Sequence, residues 1–301
     1  MAARESTATE TFEEHRPLLQ GVAYRMLGRV ADAEDVVQEA WLRWSAADHA
    51  AVREPRAYLV RTTTRLAIDR LRQVQTRRET YVGPWLPEPV RTDLQTAVPD
   101  GEERAVLAES VSLAVLVVLE SLSPLERAVF VLREAFGFPY AEIAAALDRG
   151  EAAVRQLGGR ARRHVAERRP RFEVDPAQQR ELTERFLTAA TAGDLDGLLA
   201  VLAPDARLVG DGGGKRKAPL RVLFSAQKVG RFLAAVGTTP IPEPGYRFLE
   251  LNGAGGVLFT SGGRPYTAVL ADVAGGRIQS LYLVSNPEKL EHLLSGRPPW
   301  R

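Results

Sequence analysis

Basic and amide side chains recur along residues 149–163 at a spacing that would let them grip a polyanion. Read as a helix, the stretch from Glu151 places Ala152, Arg155, Gln156, Arg160 and Arg163 on one side. Val154, Leu157, Ala161 and Val165 recur on the other at i, i+3, i+7 and i+11, the stripe of a buried face. Arg149 stands just before it, in a turn with Asp148 and Gly150, and a short helix over Tyr140–Leu147 precedes the turn. Guanidinium and amide groups on the outer face of the second helix of such a pair suit phosphate and base-edge contacts in a major groove. A second basic set lies far upstream: Arg56, Arg61, Arg65, Arg70 and Arg72, of which Arg61, Arg65 and Arg72 share one helical side.

Group-transfer or hydrolytic chemistry finds little to work with. The four histidines, His15, His49, His164 and His292, are scattered, and Asp205, Asp211, Glu250 and Asp272 form no recognisable pair by spacing. The string "GDGGGKRK" fails the phosphate-loop spacing, and no nucleophile elbow or metal-ligand pattern is present. No catalytic residue, metal or cofactor is expected.

The elements that would carry these side chains are helical through the first half. Residues from about 11 to 78 read as three helices: one ending at Gly28, one capped by Asp32, and one opened by Pro55 after a polar loop, Ser45–Glu54. On the second, Ala33, Val36, Val37, Ala40, Trp41 and Trp44 form the apolar stripe, and Asp35, Gln38, Glu39 and Arg43 face away. The first fifteen residues look like a frayed tail. From Thr80 to about Glu102, proline and glycine replace helical periodicity, which predicts a linker that oddly carries Trp85 and Leu86. Periodicity returns near Arg104, and Ser123, Pro124 and Glu126 form a helix-start signal. Gly158 and Gly159 interrupt the basic helix at about 1 kcal/mol each relative to alanine. They either allow close approach to a DNA backbone or fray the helix, and both readings stay open. A second boundary spans Arg168–Pro176. From Ala177, two amphipathic helices broken at Gly193–Asp194 lead into short strands separated by glycine-rich turns, an α+β pattern with an antiparallel sheet.

Bulk properties narrow the class. The 301 residues are 45% hydrophobic and 26% charged, with a net charge of only +2, so any affinity for nucleic acid comes from clustering. No cysteine is present, which fits a reducing cytoplasm, and no apolar run is long enough to cross a bilayer.

"DAEDVVQEAWLRW" (32–44) followed by "PRAYLVRTTTRLAIDRLR" (55–72) closely resembles region 2 of bacterial sigma factors of the extracytoplasmic-function group, and residues 122–165 are similar to their region 4. The part from about 177 looks like a SnoaL-like domain, the cone shared with nuclear transport factor two. "WLPEP" (85–89), "DGGGK" (211–215) and "NPEKL" (286–290) fit the subgroup that carries this extension. The resemblance implies two all-α sigma domains, a region 2 helical bundle (1–79) and a region 4 helix-turn-helix (104–169), joined by a linker (80–103) and followed by an α+β SnoaL-like domain (177–295). It implies promoter recognition together with core RNA polymerase, in the cytoplasm. Asp32, Asp35, Gln38, Glu39 and Trp41 would meet the clamp helices of the largest subunit. Arg56, Arg61, Arg65, Arg70 and Arg72 would serve the minus-ten element. Arg149, Ala152, Arg155, Gln156, Arg160 and Arg163 would serve the minus-thirty-five element.

For the C-terminal domain, regulation is the stronger reading. Trp85, Leu86, Pro87, Glu88 and Pro89 need a partner. Asp211, Gly212, Gly213, Gly214 and Lys215, together with Asn286, Pro287, Glu288, Lys289 and Leu290, are expected to lie near them, with Asp211 and Lys215 as a polar clasp. The competing reading is a ligand-sensing or enzymatic SnoaL-like protein fused to a free-standing helix-turn-helix regulator.

Overall fold

The computed structural model describes residues 2–78, 80–93, 112–168 and 176–295. The predicted start of helical periodicity near Arg104, most of the linker beyond Asp93 and the boundary around Pro170 lie outside the described residues. Two compact units emerge, one built from Met1–Glu79 and Val115–Arg169, the other from Thr80–Ala114 and Pro170–Pro299.

The first unit is helical. Helices α1 (Ala2–Leu27), α2 (Val30–Ser45) and α3 (Pro55–Arg78) form a bundle. Leu19, Val22, Ala23 and Met26 of α1 are fully buried in it, as are Ala33 and Ala40 of α2 and Leu59, Ala67 and Leu71 of α3. Gly28 ends α1 at φ 71°, the left-handed conformation that glycine adopts without a Cβ penalty. The N-terminal segment is not a frayed tail, because α1 begins at Ala2. Its first turns are tied down where the Ala8 carbonyl accepts the Trp44 indole N–H at 2.9 Å and Phe12 meets Trp41 edge-on at 5.0 Å. Asp32 does not cap α2 either: the helix starts two residues earlier, with Arg29 at the cap position.

Helices α4 (Leu113–Leu119), α5 (Pro124–Phe130), α6 (Tyr140–Leu147) and α7 (Glu151–Arg168) complete this unit, with a π-helical turn at Val131–Ala135. Ser123 caps α5 in a closed capping box with Glu126. Arg127 of α5 is 1% exposed; it donates to the Arg25 carbonyl at 3.0 Å and to Glu120 at 2.6 Å. Burial pulls Arg127 down to about 9 and Arg25 to about 10, so both stay charged at neutral pH.

The second unit is α+β. Helices α8 (Pro176–Ala192) and α9 (Leu195–Val201) precede β1 (Leu202–Asp211) and β2 (Leu223–Phe224). Helix α10 (Ala226–Gly237), absent from the sequence reading, then leads to β3 (Pro244–Leu251), β4 (Ala254–Ser261), β5 (Arg264–Ala274) and β6 (Arg277–Val284). The strand order is β2-β1-β6-β5-β4-β3, and β1 runs parallel to β6. The sheet is therefore mixed rather than purely antiparallel, because the three β-hairpins from β3 to β6 bring the last strand back alongside the first. Strand alternation sorts the two faces. Val257, Val269, Val273, Leu281 and Leu283 pack with Leu182, Phe186, Leu198 and Val229 of the three helices. The alternate residues Leu258, Ala268, Leu270, Tyr282 and Val284, also buried, face the other way.

Candidate nucleic-acid interface and linker clasp

The outward side chains of α7 are where the spacing placed them. Ala152, Arg155, Gln156, Arg160 and Arg163 are exposed, as is Arg149 in the preceding turn, while Val154 and Ala161 are fully buried. Leu157 and Val165 are only half-buried, and Gly158 takes the inner position between them. A Cβ on Gly158 would stand 3.0 Å from the Tyr140 hydroxyl and 3.3 Å from Val129, whereas one on Gly159 would meet nothing within 4 Å. Thus Gly158 lets α7 close on α6. Two guanidinium groups, of Arg133 and Arg155, each lie 5.0 Å from the Tyr140 ring centroid. Carboxylates hold the arginines in place: Arg155 with Glu151, and Arg160 with Glu126 at 3.0 Å. Glu126 therefore serves both the capping box and the basic face. The Ser123 hydroxyl first, and Arg160 as well, hold its carboxyl below the usual glutamate value. Sequence reasoning missed Glu126 as a support for Arg160, because the pair is 34 residues apart.

Each of the five α3 arginines singled out by the sequence has a partner within the same unit. Arg56 lies 4.5 Å over the Phe138 ring, Arg61 5.6 Å over Tyr58, and the Arg65 Nε donates to the Ala146 carbonyl at 2.9 Å. Arg72 pairs with Asp69. Arg70 pairs with Asp32 at 2.6 Å and Asp35 at 3.3 Å. This joins one residue expected on DNA to two expected on polymerase, and Asp32 is buried by the contact. Asp35 and Gln38 are exposed on α2, Glu39 and Trp41 half-exposed, and Leu42 beside them is 55% exposed. The Ser45–Glu54 loop is pinned by a residue the sequence reading left aside. The His49 ring meets the Trp44 ring at a 58° tilt, 4.4 Å between centroids, and its Nε2 meets the Trp44 carbonyl at 2.8 Å. A cavity of about 520 Å³ separates this loop and α3 from α6, floored by Tyr58, Val60, Leu132, Phe138 and Ile143.

In the second unit, the strap Thr80–Asp93 lies on the sheet face opposite the three helices. Arg91 bridges Leu251, and Val90 exchanges two hydrogen bonds with Asn252, at 2.8 and 3.0 Å. Asp211, fully buried at the end of β1, is the centre of the contact. One carboxylate oxygen accepts the Tyr81 hydroxyl at 2.6 Å. The other accepts the Leu86 N–H at 2.8 Å and the Lys289 ammonium at 2.7 Å. That ammonium also donates to the Leu86 carbonyl at 2.5 Å and lies 4.1 Å over the Trp85 ring. Lys289 is 2% exposed, so this is a buried ion pair with its remaining donors satisfied. Lys215 reaches Glu288 instead of Asp211. The glycines between them are required: a Cβ on Gly213, at φ 57°, would stand 2.4 Å from Asn286 and 2.9 Å from the Tyr81 hydroxyl. His292 joins from beyond the third motif, with Nε2 2.8 Å from the Pro89 carbonyl and Nδ1 3.0 Å from Glu88. All three strings thus meet at one place. Tyr81, Asn252 and His292 also take part; only the Asn-Gly turn signal at 252–253 could have pointed to one of them.

Comparison with known proteins identifies the family. Residues 11–78 match the family described as Sigma-70 region 2, and residues 112–165 match Sigma-70, region 4. The chain is 40% identical over 295 residues, 92% of its length and 91% of the relative's, to the ECF RNA polymerase sigma factor SigJ of Mycobacterium tuberculosis. It is 40% identical over 194 residues, 63% of this chain and 65% of the other, to the probable ECF RNA polymerase sigma factor SigI of the same species. The crystal structure of the Mycobacterium tuberculosis SigJ protein superposes with a TM-score of 0.73 at 37% identity, covering 96% of this chain and 99% of that one. With two helical modules matching both DNA-contacting regions and a relative matched almost end to end, the chain belongs to the extracytoplasmic-function RNA polymerase sigma factors, which bind core polymerase and direct it to promoter DNA.

Proposed function

We propose that the C-terminal domain governs this sigma factor through the strap, by holding or releasing the segment that joins the two DNA-contacting regions. The observation that carries this reading is Asp211, buried and bonded at once to Tyr81, Leu86 and Lys289. Residues 79–112 connect α3 to α4, and the clasp takes 80–93 out of that connection. Fully extended, 79–112 could reach about 110 Å at ~3.3 Å per residue. A pinned strap therefore restricts how far region 4 can travel from region 2, and the domain shifts a population of arrangements without chemistry of its own.

On the polymerase side, Asp35, Gln38, Glu39 and Trp41 on α2 meet the clamp helices of the largest subunit. Asp32 acts behind them by holding Arg70. The arginines of α3 serve the minus-ten element, and those of α7 with Arg149 the minus-thirty-five element. The reading of a free-standing regulator is not favoured, because it leaves the region 2 match without a role. Promoter-specific run-off transcription with core polymerase tests the proposal, comparing the full chain, a truncation after Arg169 and Asp211→Ala. Altered promoter output in both variants is expected. Identical output from all three would end the regulatory reading.

A further inference from the structure

Region 4 meets region 2 on the side that carries the minus-ten candidates. After the π-helical turn, Phe136, Gly137 at φ 68° and Phe138 reverse the chain ahead of α6. The Arg25 guanidinium of α1 lies 4.8 Å over the Phe136 ring, and a Cβ on Gly21 would stand 3.0 Å from that ring. Arg56 of α3 lies 4.5 Å over Phe138, which is buried. Region 4 fixes the turn from its own side: Arg133 donates to the Phe138 carbonyl at 3.1 Å, and the Phe138 N–H donates to the Leu132 carbonyl at 3.0 Å. Further along α3, the Arg65 Nε donates to the Ala146 carbonyl at 2.9 Å, one of the four that the last turn of α6 leaves without a helical partner. Arg61 and Glu142 line the gap of about 520 Å³ from opposite sides, and Arg65 and Arg72 meet Arg149 across a second gap of about 220 Å³.

The helical side of α3 that carries Arg61, Arg65 and Arg72 therefore faces region 4, and a strand laid along it would meet α6 and the Phe136–Phe138 turn first. We propose that in the free chain region 4 covers the minus-ten side of region 2, through this turn and the end of α6, and that a minus-ten strand binds only after the two regions part. The closed form can open. Parting the regions exposes Phe138, but it also returns water to Arg25 and Arg127, two buried guanidinium groups at the same seam, where Arg127 donates to the Arg25 carbonyl. Binding of the strand then draws on the open fraction, and whatever tightens the seam weakens the apparent affinity in proportion. The inference rests on the reading of the α3 arginines as minus-ten residues and does not depend on the clasp.

The test uses the full-length chain, which has no cysteine of its own. Ala57→Cys with Ala145→Cys puts one thiol on each side of the larger gap, at exposed positions of α3 and α6. A short bismaleimide should join the pair in the free chain. The readout is affinity for a fluorescent single-stranded oligonucleotide, cut from the non-template strand of a promoter used in the run-off assay and carrying the minus-ten element alone. It is measured on the free chain and on its complex with core polymerase. Since the probe lacks a minus-thirty-five element, the spacing of the two elements cannot enter the result. The joined chain should bind at least about tenfold more weakly than the same pair capped with a monofunctional maleimide. Phe138→Ser, which loosens the seam, should bind several-fold more tightly as the free chain. Equal affinity of the joined and capped chains overturns the proposal, as does failure of the pair to join. Arg61→Ala with Arg65→Ala isolates the reading on which it rests. If that variant binds as the parent does while joining still abolishes binding, the closure stands and the minus-ten role of these two arginines falls.

Discussion

Two adjacent glycines show how much one Cβ decides. Both cost α7 helix propensity, yet only Gly158 faces another element, with Tyr140 3.0 Å from where its Cβ would be. Gly158→Ala should lose roughly 1 kcal/mol in urea unfolding, because the strain of moving Tyr140 outweighs the gain in propensity. Gly159→Ala should gain about 1 kcal/mol; equal shifts in the two variants would refute the assignment. Asp211 is the corresponding residue of the clasp. Asp211→Ala leaves Lys289 charged and buried without its carboxylate, and should cost about 3–5 kcal/mol in the unfolding of the C-terminal domain. Replacing both partners, Asp211→Leu with Lys289→Met, should recover much of that loss. A double variant as unstable as the single one would show that the ion pair is not the source.

At the scale of elements, caps and ion pairs tie the basic face to its scaffold. Glu126 closes the capping box of α5 and holds Arg160 of α7, so one carboxylate fixes both a helix start and an outward guanidinium. Since folding holds that carboxyl below its unfolded value, its contribution is complete above the ordinary glutamate range and is lost as pH falls through the lowered one. Ser123→Ala should therefore cost about 1 kcal/mol at neutral pH, and the gap to the parent should narrow as pH drops below about 4.5, leaving the part due to the Glu126 N–H bond to the Ser123 hydroxyl. Chemical denaturation at a series of pH values checks this, and a constant gap would refute it. The strap follows a different logic. It has no helical or strand periodicity, yet it buries Leu86 and Val90 completely and pairs with the β3–β4 hairpin.

For the molecule as a whole, the proposed role of the strap makes a prediction about promoter geometry. A clasp that removes 80–93 from the connection between regions 2 and 4 should sharpen the chain's preference for one separation of the two promoter elements. Run-off transcription on templates whose spacing is changed by one or two base pairs should show Asp211→Ala tolerating more spacings than the parent. Equal tolerance would mean that the strap does not govern spacing.

The helical half was legible because its signals are local. The apolar stripe of α2, the Ser123 start signal and the Asp148–Gly150 turn each depend on residues within a turn or two of one another, and the bundle buries that stripe except for Trp41, which is half-exposed. Strands and their glycine turns were legible for the same reason. Helix α10 and the parallel β1–β6 pair were not, because both depend on which segments the closed sheet brings together. The pairing of Arg70 with Asp32, and the near-continuous engagement of the α3 arginines, likewise required the bundle to form first.

The sequence alone determined the order of modules, the outward basic face of α7 and the three strings that had to serve some shared purpose, since spacing along a chain is enough to specify a face or a turn. Only the tertiary structure decided who meets whom. It paired Asp211 with Lys289 rather than Lys215, recruited Tyr81 and His292, and gave Gly158 a packing role, because contacts between residues far apart in the chain are set by how whole elements pack and by which buried polar groups can be satisfied together.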